Sequence, residues 1–214
     1  MKKIVFPTDF SEEAAKALPV AAQLTRQLAG TLHLVHVLPP ASGEYVSLLH
    51  DADAQYRQAL GEVDLLFDEL LTAPCLQNLK AHTHLVKGAD PADFLDDARL
   101  ADADLLVVAS TGAVGWKETL TGSNAEHLIR RAKVPVLVLK NPPAYLSVKT
   151  IVFASDFQDQ YDSAIDLLQT LLDEFDYPTV HLLFVNTLSH FIPTHKIKPR
   201  MDAFAARHCL GDAF

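Results

Sequence analysis

The chain reads as an α/β protein: a Rossmann-like, doubly wound parallel five-stranded sheet, followed by a partial second copy of the same fold. Three observations predict this. Short, continuous apolar runs such as Leu105 to Val108 alternate with amphipathic stretches at helical spacing, as expected of parallel strands buried on both faces under helices. The runs stop abruptly at loops rich in Gly, Pro and Asp, the usual punctuation between such elements. The chain also begins again: KKIVFPTDFS at residues 2–11 is echoed by KTIVFASDFQ at 149–158, and TLHLVHV from Thr31 by TVHLLFV from Thr179. Matching order and spacing mark an internal duplication.

Lys3 to Phe6 is the first strand, ending at Pro7-Thr8-Asp9. Ser11, backed by Glu12 and Glu13, starts a helix that runs to about Ala29, with Ala14, Ala17, Leu18, Ala21 and Leu24 on its apolar face and Gly30 as stop signal. Pro19 lies inside this pattern and should bend or locally open the helix unless it begins later. Thr31 to Leu38 is the second strand, and Tyr45 to Leu71 reads as a long helix whose apolar face is core. Ala81 to Lys87 is the third strand. His82 and His84 fall on one face of it, and with no acidic or cysteine partner in view they read as a solvent-facing surface rather than metal ligands.

Asp90 and Pro91 cap a helix expected over Ala92 to Leu100. The stretch from Leu105 to Lys140 then runs strand, glycine-bearing loop, short helix over Ala125 to Ala132, and strand over Val134 to Leu139. Ser123 or Asn124 caps that helix, and its basic last turn suits the helix dipole. Its positive end faces the loop, where free backbone N–H groups can hold an anion. Sheets of this class bind ligands where the strand order reverses. Should the first and fourth strands be neighbours there, Pro7-Thr8-Asp9 faces the segment from Ala109 to Ser123.

At 214 residues the chain can bury a full core, and the repeat divides it into residues 1–143 and 144–214. A formal charge of −9 argues against nucleic acid and anionic membrane as partners. No apolar run approaches the roughly 20 residues that cross a bilayer, and no signal-peptide core precedes the first strand, so a cytoplasmic location is expected. Cys75 and Cys209 are too few for a disulfide framework.

The strand ending in Pro7-Thr8-Asp9, the loop with Gly112, nine residues and Gly122-Ser123, and the closing strand Pro135-Val136-Leu137-Val138 resemble the universal stress protein family. The resemblance covers Met1 to Lys140 as one domain and Lys149 to Phe214 as the first part of another. It implies an ATP-binding stress-response module, with ATP, alone or with Mg2+, as ligand. In ATP-binding members Pro7, Thr8 and Asp9 would meet the ribose or adenine, Val37 the base, and Gly112, Gly122, Ser123 and Asn124 the phosphates. Ala109 stands where the family pattern has its first glycine; alanine suits a close approach but not a positive φ. The second copy carries no counterpart of the glycine loop, so one nucleotide per chain is expected, and Asp156 reads as the cap of a helix beginning near Gln158.

Two other readings stand beside this one. The loop lacks the Gly-Lys-Ser/Thr of a P-loop, and its one lysine, Lys117, has no fixed partner, so any enzymatic role is at most slow ATP hydrolysis. A nucleotide-free dimerisation scaffold follows if Ala109 disables the loop. Val134 to Leu139 is an uncharged edge strand in the usual order for this fold, and a homodimer through it is expected.

Overall fold

The computed structural model describes residues 2–38, 52–110, 124–158, 162–188 and 191–210. It divides into two compact units, Met1–Leu146 and Ser147–Phe214. The first holds a five-stranded sheet of β1 (Lys3–Pro7), β2 (Thr31–Leu38), β3 (Ala81–Lys87), β4 (Leu105–Ser110) and β5 (Val136–Lys140), in the order β3-β2-β1-β4-β5. All four pairings are parallel. The first and fourth strands are therefore neighbours, and the order reverses between them.

Ile4, Val5 and Phe6 are almost fully excluded from solvent. Successive side chains of a strand face opposite ways. Val5 joins Val35, Leu106 and Val108 under Phe94, Leu100 and Leu128. Ile4 and Phe6 face the other side, where α1 (Glu12–Gln27) packs on β1, β2 and β4. Ser11 caps α1, its hydroxyl accepting the N–H of Ala14 at 3.3 Å. The helix is continuous through Pro19, so a later start is not what accommodates the proline. Gln23 on α1 holds the end of this unit with a reciprocal pair of 2.8 Å hydrogen bonds to the backbone N–H and carbonyl of Leu146.

Other boundaries differ from the sequence expectation. The long helix α2 is described over Ala52–Leu71, and the residues ahead of it lie outside the described ones. In place of a helix over Ala92 to Leu100 there is one 3₁₀ turn, Asp93–Asp96. The aspartates are the physical reason, because they offer the backbone local partners that compete with helix. Asp90 accepts the N–H of Ala92 at 2.7 Å, Asp93 that of Asp90 at 3.0 Å, and Asp97 that of Arg99 at 2.9 Å. Helix α3 covers Asn124–Arg131 and β5 begins only at Val136. Pro135 itself contributes its carbonyl, which accepts the N–H of Leu106 at 3.0 Å.

In the second unit β6 (Thr150–Ala154) and β7 (Thr179–Leu183) pair in parallel. Helices α4 (Asp162–Glu174) and α5 (Thr194–Arg207) enclose a core of Phe157, Ile165, Leu168, Val180, Ile197 and Phe204. Among the described residues no helix is long and apolar enough to cross a membrane.

Gly30 is fixed by space. A Cβ there would lie 2.7 Å from the carbonyl oxygen of Lys2, the same oxygen that accepts the Thr31 N–H and starts the β1–β2 ladder. Gly30→Val should therefore destabilise the first unit by about 1–3 kcal/mol, read as a lower urea midpoint at unchanged slope; an unchanged midpoint would mean that the strand ends shift freely.

Candidate functional site

The sheet parts where its order reverses. β1 and β2 pair as far as Pro7 with Val35, and β4 and β5 as far as Ser110 with Lys140. Between β1 and β4 the ladder covers only Ile4 with Leu105 and Val5 with Leu106. The carboxyl ends of the two central strands are thus left unpaired with each other, and the chain leaves them as the Thr8-Asp9-Phe10 turn after β1 and the β4-to-α3 connection after β4.

That turn is held from several directions. Thr8 is buried; its N–H donates to the Val35 carbonyl at 2.8 Å and its hydroxyl accepts the N–H of Phe10 at 3.0 Å. His36 Nδ1 lies 2.8 Å from the Thr8 carbonyl oxygen. Phe10 takes a φ of 59°, uncommon for a bulky side chain, and its ring packs on His36 and edge-on against Phe67 of α2. Asp9 accepts the N–H of Ser11 at 3.0 Å. Burial alone would raise its carboxyl; hydrogen bonds from Ser11 and the nearby His36 outweigh that and hold it below the ordinary value. Asp9 is therefore an ionised acceptor just past the end of β1, beside the reversal of the sheet.

The same turn recurs in the second unit. Ser155 N–H donates to the Leu183 carbonyl at 3.0 Å, the Ser155 hydroxyl accepts the N–H of Phe157 at 2.9 Å, and Asp156 accepts that of Gln158 at 3.2 Å. Phe157 again has a positive φ, 57°. Asp156 thus closes this turn, while α4 is described only from Asp162.

Of the residues singled out from sequence, Pro7, Thr8 and Asp9 lie together at the end of β1. Val37 sits near the end of β2, half-buried and packed against the core of that face. Ala109 lies within β4 opposite Leu139, in strand geometry that alanine adopts without strain. Asn124 opens α3. Gly112, Gly122 and Ser123 lie outside the described residues.

Sequence reasoning missed His36 and Phe10, which shape the turn, although the recurrence of Phe in both copies of the motif was a visible signal. It also missed the ties that fix α3. His127 Nδ1 is 3.1 Å from Asp90, and the Arg131 guanidinium reaches Asp93 at 3.3 Å and Asp96 at 2.7 Å. These join α3 to the segment after β3. Among the described residues no group of three or more His, Cys, Asp or Glu could hold a metal ion.

A parallel sheet of this order, open at its reversal, defines the doubly wound α/β class, whose members bind ligands at that point. Within the class the chain belongs to the universal stress protein family, whose sequence pattern matches residues 1–140. It is similar to universal stress protein MJ0531 of Methanocaldococcus jannaschii, 29% identical over 148 residues, or 66% of this chain and 83% of that protein. A solved universal stress protein from Archaeoglobus fulgidus shares the fold over 96% of this chain and 74% of its own, with a TM-score of 0.70 at 19% identity. Some solved relatives bind nucleotides: a universal stress protein from Archaeoglobus fulgidus was solved in complex with dAMP. It is 22% identical, covers 64% of this chain and 97% of its own, and has a TM-score of 0.41.

Thr8→Val keeps the shape of the side chain but removes the acceptor for the Phe10 N–H. A loss of about 1–3 kcal/mol is expected from leaving a buried donor unpaired, measurable by chemical denaturation; an unaltered midpoint would show that the donor finds another partner.

Proposed function

We propose that residues 1–143 bind ATP, alone or with Mg2+, as a ligand in the crevice between β1 and β4, and act as a cytoplasmic stress-response signalling module. The observation that carries this reading is the β1–β4 ladder, which stops short and leaves an ionised, rigidly held Asp9 at the mouth of the reversal. Family membership supports it. In this reading Pro7, Thr8 and Asp9 meet the ribose or base, Val37 lines the base, and Ala109 lets the ligand approach β4 closely. Gly112, Gly122, Ser123 and Asn124 surround the phosphates, aided by the positive end of α3. Mg2+ would arrive on the phosphates rather than in a protein cage. Residues 144–214 are a partial second copy that retains the aspartate turn and binds no nucleotide.

Calorimetry with ATP and Mg2+ should give one site per chain. Asp9→Ala should weaken binding at least about tenfold, a loss of 1.4 kcal/mol, and Gly122→Val should abolish it with the fold intact by circular dichroism. Unchanged affinity in Gly122→Val would move the phosphates elsewhere, and no heat with the unaltered protein would leave the nucleotide-free scaffold. Phosphate release near the buffer rate is expected, since the loop has no P-loop lysine; rapid release would make the protein an ATPase.

We also propose a homodimer through the strand Val134 to Leu139. β5 lies at the edge of the sheet order, Val138 is exposed, and the strand is uncharged up to Lys140. Light scattering should report a dimer at micromolar concentration, and Val136→Lys with Val138→Lys should convert it to monomer. A monomeric parent, or a dimer indifferent to the two lysines, would remove this interface.

A further inference from the structure

On the β2–β3 side of the sheet, away from the reversal between β1 and β4, His33 of β2 and His84 of β3 meet directly. His33 Nδ1 and His84 Nε2 are 2.8 Å apart, with ring centroids 5.0 Å apart and planes within 7° of each other. A nitrogen separation that short, inside that centroid distance, leaves room only for the two ring radii. The imidazoles therefore meet edge to edge in nearly one plane, an in-line N–H···N bond rather than a face-to-face stack. His33 is 9% exposed. The reading of His84 as part of a solvent-facing surface is thus corrected: His82 is exposed, but His84 is half-buried against a partner on the next strand.

We propose that the His33–His84 pair is an acid-operated latch, which holds edge strand β3 and the crossing segment 97–104 onto the sheet and releases them when both imidazoles are protonated. An N–H···N bond needs one donor and one lone pair. A first proton from solvent can settle on an outward nitrogen and leave the bond in place. A second puts hydrogens on both facing nitrogens, so the bond is lost and two cations are left in contact.

The surroundings bias the pair against that second proton. From β1 comes Lys3, from β3 His82, and from the crossing segment Asp97, Arg99 and Asp102. The two acids are engaged elsewhere. Asp97 is gripped by Arg99 at 2.6 Å, which holds its carboxyl down at about 2, and Asp102 pairs with Lys3. Both therefore stay ionised while the imidazoles titrate. Burial, then the neighbouring His84 and Lys3, lower His33 from 6.5 to about 4. Burial, then Arg99, also lowers His84. As pH falls below about 6.5 the unfolded chain binds more protons than the folded one, so stability is lost from there toward the folded value of about 4.

The segment the latch would free is otherwise held mainly by polar ties near its ends. Arg99 donates to the Leu85 carbonyl of β3 at 3.3 Å, and Lys3 Nζ donates to the Arg99 carbonyl at 2.9 Å and pairs with Asp102. The Lys3 N–H donates to the Asp104 carboxylate at 2.7 Å, the Asp104 N–H donates to the Lys3 carbonyl at 2.9 Å, and Lys2 Nζ reaches the Asp104 carboxylate at 3.1 Å. Between these, Leu100 inserts into the core beside Phe94. Loss of the imidazole bond beneath it would loosen this crossing before the centre of the sheet.

The test is amide hydrogen exchange of the full chain, expressed as protection factors at pH 6.5 and 4.5. Protection of the Leu100, Ala103 and Asp104 amides should fall at least about tenfold in the parent. It should fall clearly less in His84→Gln, whose amide can face His33 as donor or acceptor without titrating while His33 stays buried, and fall as in the parent in His82→Gln. An equal fall in parent and His84→Gln, level protection in the parent, or a level response in His82→Gln would overturn the latch. Should His84→Gln fail to fold, the parent alone decides by histidine ring resonances: His33 neutral at pH 5.5 is expected, and titration near 6.5 would overturn the proposal.

Discussion

A strand buried on both faces has no water to satisfy its backbone, so it must find hydrogen-bond partners along both edges. β1 is that strand here. Ile4, Val5 and Phe6 fill the core above and below it, β2 lines one edge throughout, and β4 lines the other only over Ile4 and Val5. Where β4 falls away, the backbone of Thr8 is satisfied instead by Val35 and His36. The turn bearing Asp9 is thus the structural solution to ending a buried strand at the reversal of the sheet.

The second unit is informative because it keeps the turn with one neighbouring strand among the described residues. Ser155 replaces Thr8, Asp156 replaces Asp9, and Phe157 keeps the left-handed backbone of Phe10. In both places the aromatic ring is the compensation for an unfavourable φ. Phe10 lies between His36 and Phe67, and Phe157 against Phe153 and Phe204. An aspartate at such a strand end is therefore secured by local packing in the five-stranded sheet and in the two-stranded one alike.

Periodicity in the sequence disclosed the strands well, because continuous apolar runs such as Leu105 to Val108 have few other uses, and it found the repeat outright. It placed Thr8, Asp9 and Ala109 at strand ends. It could not disclose that β1 and β4 are neighbours, since that pairing joins residues about a hundred positions apart and leaves no local trace. The capping signal of Asp90 and Pro91 also suggested a helix over Ala92 to Leu100, whereas the side chains of Asp90, Asp93 and Asp97 engage nearby backbone N–H groups in local turns. The histidines were visible as alternating residues, but it takes the register of β2 on β3 to set His33 opposite His82 and diagonally beside its partner His84.

The distance along the chain between the two edges of β1 also bears on synthesis. The backbone N–H of Lys3 is bound by Asp104, 101 residues later, and the Ile4 and Val5 ladder waits for Leu105 and Leu106. At ribosomal speeds of about 5–20 residues per second, the intervening chain takes roughly 5–20 s to appear. Throughout that interval β1 and β2 can pair, but one edge of an apolar strand lies open. β1 is made well before the strand that closes its second edge, and that interval is when a nascent chain is most exposed to wrong strand pairing and most in need of a chaperone.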